Sequence, residues 1–186
     1  AASDVYTRQV QPIVCESQHK KVLRFLDEAK SAGVEFLTGG NVPDAETVGN
    51  TGGYFIQPTV LVNVERDSDV WQKEVFGPVL SVRTFSTEQE AVLEANSTAF
   101  GLASTVMSSD PAKAMRVANR IRAGAVYATS NGEGLLAEHP AVSRGGFGCS
   151  GVGRELGISG LHEYTELKSV NYTGFTLADA KIESIE

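Results

Sequence analysis

Apolar positions along this chain recur first at one spacing and then at another, and the changes mark its elements. Over residues 17–32 the apolar side chains Val22, Phe25, Leu26 and Ala29 return at helical spacing, and Gly33 follows as a stop, so one amphipathic helix is predicted. Val34-Glu35-Phe36-Leu37-Thr38 reads as a short strand ending at Gly39-Gly40, and 41–52, with Pro43 and two glycines, as a surface loop. Residues 55–64 are rich in β-branched and apolar side chains and read as extended, with Pro58 excluding an uninterrupted central strand. A helical turn over 67–73 and an alternating strand over 79–85 come next. A capping box, Ser86-x-x-Gln89 or Thr87-x-x-Glu90, then opens a helix to about Asn96. A strand over 102–107 leads to Asp110-Pro111, an acceptor and a proline that start a helix with Ala114, Val117, Ala118 and Ile121 as its buried stripe up to Gly124. Residues 125–129 form the next strand. Strands alternating with short helices mean crossover units, so the predicted class is α/β, a mainly parallel sheet with flanking helices on both faces.

Composition narrows the picture. A chain of 186 residues, 41% hydrophobic and 21% charged, is enough for one buried core. The net charge of −7, with 16 basic residues scattered and forming no run, argues against nucleic acid as a partner. No apolar run approaches the roughly 18 residues that span a bilayer, and Ala1-Ala2-Ser3-Asp4 carries no signal pattern, so a soluble, cytoplasmic chain without a membrane partner is expected. Cys15 and Cys149 make no disulfide framework, and no close Cys/His grouping indicates a metal. His19, His139 and His162 are widely separated and read as surface or capping residues.

Gly146-Phe147-Gly148-Cys149-Ser150-Gly151 fits the dinucleotide fingerprint G-x-G-x-x-G, but the fingerprint needs a strand feeding directly into the turn and a helix leaving it. His139-Pro140-Ala141-Val142-Ser143-Arg144 is no such strand, and a structural loop is the reading here. Cys149 sits in it without a histidine close in sequence, so it is expected to be an inert thiol.

The candidate chemistry centres on Glu74-Val75-Phe76-Gly77-Pro78-Val79. Gly77 is free in φ and Pro78 fixes φ, so Glu74 and Phe76 are presented at a rigid corner before a strand. The plainer alternative is an exposed carboxylate and a core phenylalanine. Three further motifs stand in order with it: Gly53-Tyr54-Phe55-Ile56-Gln57-Pro58-Thr59-Val60, Ser150-Gly151-Val152-Gly153-Arg154-Glu155-Leu156-Gly157, and Glu163-Tyr164-Thr165-Glu166-Leu167-Lys168-Ser169-Val170. Together they resemble the aldehyde dehydrogenase superfamily over nearly the whole chain.

The resemblance implies an NAD- or NADP-dependent oxidation of a small aldehyde to an acid through a cysteine thiohemiacetal and thioester, in a homo-oligomer, a dimer or tetramer. It gives Glu74 the nicotinamide ribose hydroxyls to bind and Phe76 a place beside the nicotinamide. Gln18 and Lys21 resemble a family pair that approaches the cofactor ribose, with solvated helix residues as the alternative. Glu155 matches a glutamate that relays protons by water, with a salt bridge as the alternative. Arg144 stands where many members carry an aromatic residue lining the aldehyde tunnel, after a loop at 131–139 that is longer than usual, a departure that leaves the aldehyde unassigned; one reading has Arg144 facing the tunnel and favouring aldehydes with a distal carboxylate, and the other a solvated or paired arginine. Arg154 and Glu166 match a charge network that reaches the last strand and a neighbouring subunit. The family's dinucleotide-binding domain, general-base glutamate and Gly-Gln-x-Cys motif do not occur in the sequence. The expectation is therefore a carboxy-terminal piece, with 1–168 a partial catalytic domain and 169–186 a strand and tail serving oligomerisation, inactive by itself because the nucleophile lies outside the chain. A non-catalytic relative, a structural or subunit-interaction module of the same fold, is the rival reading.

Overall fold

The computed structural model describes residues 10–46, 48, 52–131, 139–171 and 173–174. Helix α1 (Glu16–Ser31) buries Val22, Phe25, Leu26 and Ala29, the four positions its spacing picks out, and Gly33 turns the chain away at φ 76°. Strand β1 (Glu35–Thr38) pairs antiparallel with β2 (Thr59–Val62), which pairs parallel with β3 (Val79–Val82). Strand β2 is central in this three-stranded sheet. Pro58 stands immediately before it, so the missing N–H falls outside the ladder and the proline sets where the strand begins. The core lies between α1 and this sheet: Leu61 and Val64 meet Val22, Phe25 and Leu26, and Ile56, Val70 and Val75 close its edge. This burial is the hydrophobic term that holds α1 in place.

After the short helix α2 (Asp69–Gln72) and β3, helix α3 (Glu88–Ala95) opens at Thr87, whose side chain accepts from the Glu90 amide; Glu90 accepts in turn from the Ser86 amide. Of the two capping boxes legible in the sequence, the second is used, with its return bond shifted one residue back. Strand β4 (Ala103–Met107), helix α4 (Pro111–Ala118) and β5 (Ala125–Thr129) form one parallel crossover unit, with Ala103 opposite Ala125. Asp110 caps α4 by accepting from Ala112 and Lys113.

Several expectations are revised. The strands fall into two sheets, β1-β2-β3 and β4-β5. Strand β3 stops at Val82, opposite the end of β2 at Val62, and the guanidinium of Arg83 just beyond it binds the Val64 carbonyl and the Glu94 carboxylate. Helix α4 ends at Ala118, short of Gly124, as Arg120 and Ile121 tighten into bonds to Val117 and Ala118; of its stripe only Ala114 is fully buried. It packs against both β4 and β5, yet Leu102 and Met107 beside them remain exposed, so this sheet is not covered on both faces by the described residues. The carboxy-terminal strand expected at 169–186 lies mostly outside the described residues, and 169–171 and 173–174 form no strand. The loop at 131–139 also lies outside them except for its two ends.

Glu94 ties helix α3 to the segments that follow β2 and β3. It is 8% exposed and accepts from both Arg66 and Arg83, while Arg83 also lies over the Trp71 ring. Hydrogen bonding from Arg66, then from Arg83, holds its carboxyl below the usual carboxylate range. Because the folded pKa lies below the unfolded one, the contribution is complete above the ordinary range and is lost as pH falls through the folded value. Glu94→Ala should cost about 3 kcal/mol, since it leaves two guanidinium groups uncompensated, one of them open to water. Urea unfolding at pH 7 and pH 3.5 checks this: the gap between wild type and variant should narrow at the lower pH, and an equal gap at both would contradict it.

Candidate functional site

The corner after α2 is built by α1. Gln18, Lys21 and Val22 share one face of that helix through i, i+3 and i+4 spacing. Gln18 Nε2 donates to the Val75 carbonyl at 3.2 Å and the Phe76 carbonyl at 2.9 Å, and Lys21 Nζ reaches the Glu74 carbonyl at 3.4 Å. Gly77 lies so close to α1 that a Cβ there would sit 2.8 Å from Val22 Cγ2. Val75 is buried in the core, and Phe76 takes φ 59°, a left-handed conformation that residues with a Cβ seldom adopt. The outcome is a corner with its carbonyls turned to the helix and its functional side chains turned out: Glu74 is exposed, and the Phe76 ring is 65% exposed. No described residue donates to the Glu74 carboxylate. Gln18, Lys21, Glu74 and Phe76, scattered in sequence, are thus brought together, and Phe76 is a surface ring rather than a core one.

Beside Glu74 opens a cleft of about 600 Å³ lined by Trp71, Lys73, Phe100, Leu102, Arg122 and Cys149, among others. Sequence reasoning missed Phe100-Gly101-Leu102 as a wall of this space. The only local signal is Gly101, and its role is long-range: its amide is held by Ser150 Oγ, and its carbonyl accepts from Gly124 and Phe147. These bonds stitch the glycine-rich loop to the start of β4. Gly148–Ser150 is a short 3-10 turn, with no strand feeding it, so the dinucleotide fingerprint is not realised there. Cys149 faces solvent at the cleft instead of being buried as expected for an inert thiol. Cys15, at the start of α1, is also exposed, and hydrogen bonding from the Ser17 hydroxyl and then the Gln18 amide lowers its pKa. His19 approaches the Phe55 carbonyl, and His139 accepts from Ala141, so both serve local structure.

The remaining candidates gather around the glycine-rich loop. Arg144 and Glu155 face each other across an antiparallel bridge, each amide donating to the other's carbonyl at 2.7 Å, and their side chains pair at 3.4 Å. Arg144 also borders a second cleft of about 260 Å³, with Tyr127, His139, Val142, Ser143 and Leu156. Arg154 binds the Gly146 and Gly153 carbonyls and lies over the Phe147 ring, and its amide donates to Glu163. The carboxylate at this turn is thus Glu163, and Glu166, the expected partner, is exposed three residues further on.

A profile of the Aldehyde dehydrogenase family matches residues 4–170. The chain is 43% identical over 159 residues to aminoaldehyde dehydrogenase 1, peroxisomal, of Pisum sativum, covering 86% of this chain and 30% of that protein. It is 39% identical to the chloroplastic betaine aldehyde dehydrogenase of Beta vulgaris, again over 86% of this chain and 30% of the relative. Among solved structures, a Mycobacterium tuberculosis aldehyde dehydrogenase complexed with NAD+ superposes with a TM-score of 0.79 at 32% identity, over 91% of this chain and 33% of that one. A betaine aldehyde dehydrogenase point mutant from Staphylococcus aureus in complex with NAD+ gives 0.74 at 38% identity, over 84% and 30%. The chain therefore spans about 30% of the length of the curated relatives it matches. A family profile running through nearly every described element, and identities of this size over the same span, mean that the chain belongs to the aldehyde dehydrogenase family.

Proposed function

We propose that this chain supplies the nicotinamide-ribose clamp and one substrate wall of an NAD- or NADP-dependent aldehyde dehydrogenase, with the nucleophilic cysteine and the dinucleotide-binding domain on polypeptide outside these residues. The observation that carries the reading is the corner: an exposed carboxylate with no donor among the described residues and an exposed ring, on backbone held by α1. A ribose diol offers two O–H donors, and a carboxylate accepts both. The adjoining cleft of about 600 Å³ is within the size range of small-ligand sites. When bound, the dinucleotide supplies the hydride acceptor, and the protein's task is to hold it still.

In this reading Glu74 binds the ribose hydroxyls and Phe76 packs beside the ring. Glu155, 65% exposed at its side chain, passes protons to solvent through water. Arg144, bordering the second cleft, receives the distal carboxylate of the substrate. Neither Cys15 nor Cys149 is the nucleophile. Homo-oligomerisation, as a dimer or tetramer in the cytoplasm, belongs to the same reading; Val152, Tyr164 and Leu167, at 100, 89 and 104% exposure, offer apolar surface for it.

A panel of neutral and anionic aldehydes, followed by NADH formation, tests this. The 186-residue chain alone should be silent, and the enzyme that contains it active. Turnover by the chain alone that vanishes in Cys149→Ala would contradict the placement of the nucleophile. In the active enzyme Arg144→Leu should lower kcat/KM about tenfold for anionic aldehydes only, and equal losses for both kinds would remove Arg144 from the substrate wall.

A further inference from the structure

We infer that Asn96 and Ser97, adjacent residues at the end of α3, are positioning residues that set the separation of two stretches of wall in the cleft beside Glu74. This rests on the function proposed above. Ala95 and Thr98 line the cleft, and the two residues between them bind its walls from behind. Ser97 holds the Glu74 side: its hydroxyl accepts from Trp71 Nε1 at 2.9 Å and donates to the Glu94 carbonyl at 2.7 Å, and its carbonyl accepts from Gln72 Nε2 at 3.0 Å. Asn96 holds the connection from α4 to β5: Nδ2 donates to the Arg120 carbonyl at 2.9 Å, and Oδ1 accepts from the Arg122 amide at 2.7 Å. Those two bonds bracket Ile121, which lines the cleft together with Arg122.

Helix α2 is a single turn of four residues, too short to hold its own shape, so its orientation is set by what it binds. The buried Val70, whose carbonyl accepts from Ser81 Oγ, fixes the side toward the core. Arg83 covers the Trp71 ring, and the two bonds to Ser97 then fix the rotation of the turn, two residues before Glu74. On the other stretch, the Asn96 carboxamide has one possible orientation, because a carbonyl only accepts and a peptide N–H only donates. Helix α3 is itself anchored through Glu94 to Arg66 and Arg83. Both stretches are therefore referred to one fixed helix end, and the place of Glu74 relative to Ile121 and Arg122 follows from two consecutive side chains.

The test is the Kd for NAD+, read by calorimetry on the assembled enzyme, together with the KM for aldehyde. Ser97→Ala removes the acceptor for Trp71, and Asn96→Asp keeps the acceptor for Arg122 while setting an oxygen against the Arg120 carbonyl; each should raise the Kd about fivefold and leave the KM for aldehyde within about twofold. A ligand gripped from one side only loses little more when the other side is freed, so the double variant should stay at about tenfold or less. Ser97→Thr, which keeps the hydroxyl, should bind NAD+ like wild type. Effects that multiply in the double variant would mean two independent contributions and overturn the inference. An unchanged Kd in Ser97→Ala and Asn96→Asp, with only a lower melting temperature, would overturn it too and leave a purely structural pair. So would a Ser97→Ala protein that unfolds while Ser97→Thr folds but binds as weakly as Asn96→Asp. Glu74→Ala separates the two readings: a raised Kd there, with none in the Asn96 and Ser97 variants, removes this inference alone, whereas an unchanged Kd in Glu74→Ala removes the ribose clamp and the inference with it.

Discussion

Gly124→Ala should unfold the second half of this chain, with a loss of about 4 kcal/mol or more and a fall in Tm on the order of 10 °C. The reason is backbone against backbone. A Cβ on Gly124 would lie 2.7 Å from the Gly145 carbonyl carbon and closer still to its oxygen. Gly145 cannot retreat, because its own vacant Cβ position is hemmed in by the Gly153 carbonyl and the Arg154 side chain, and that of Gly146 by Ser150. No rotamer change relieves the contact, so β5 must part from the glycine-rich loop. Parting them breaks the bonds that Gly124 and Phe147 donate to the Gly101 carbonyl and the one Ser150 accepts from the Gly101 amide. The cleft beside Glu74 loses a wall at the same time. Gly33→Ala is the control: nothing lies within 4 Å of its Cβ position, and only its φ of 76° costs, at about 1 kcal/mol. Thermal unfolding of both variants decides, and a Gly124→Ala protein that melts like Gly33→Ala would contradict the close packing described.

Much of the first helix was legible in the sequence, because Val22, Phe25, Leu26 and Ala29 face one core and their spacing records it. Asp110-Pro111 marked a helix start because capping is local chemistry. The separation into two sheets was not legible. It is a matter of which strands pair, β2 with β3 and β4 with β5, between segments that share no period. The pairing of Gly124 with Gly145 is hidden for the same reason, since a glycine that admits another backbone looks like a glycine that turns. For the site, composition and periodicity pointed only to a rigid corner at Glu74; the ribose role came from resemblance. Gln18 and Lys21 came from resemblance too; their bonds to the corner's carbonyls are long-range contacts that spacing does not show. Nothing local signals that an amide on one helix is matched to two carbonyls more than fifty residues away.

The central claim is that Glu74 holds the hydride acceptor in place, and Glu74→Gln in the assembled enzyme isolates it by keeping the shape and removing the charge. A glutamine still accepts one hydroxyl, so the orientation is weakened and not abolished: kcat should fall roughly ten- to hundredfold, with the KM for aldehyde nearly unchanged because Glu74 does not touch the aldehyde. The slowed step is the transfer of the aldehyde hydrogen. The decisive measurement is therefore the primary deuterium isotope effect on kcat with the aldehyde hydrogen labelled, in wild type and in Glu74→Gln. A clear effect in the variant, larger than in wild type, is the expected result. A kcat within about twofold of wild type and no isotope effect would make Glu74 an ordinary surface carboxylate, and the corner built by α1 would have no part in holding a cofactor.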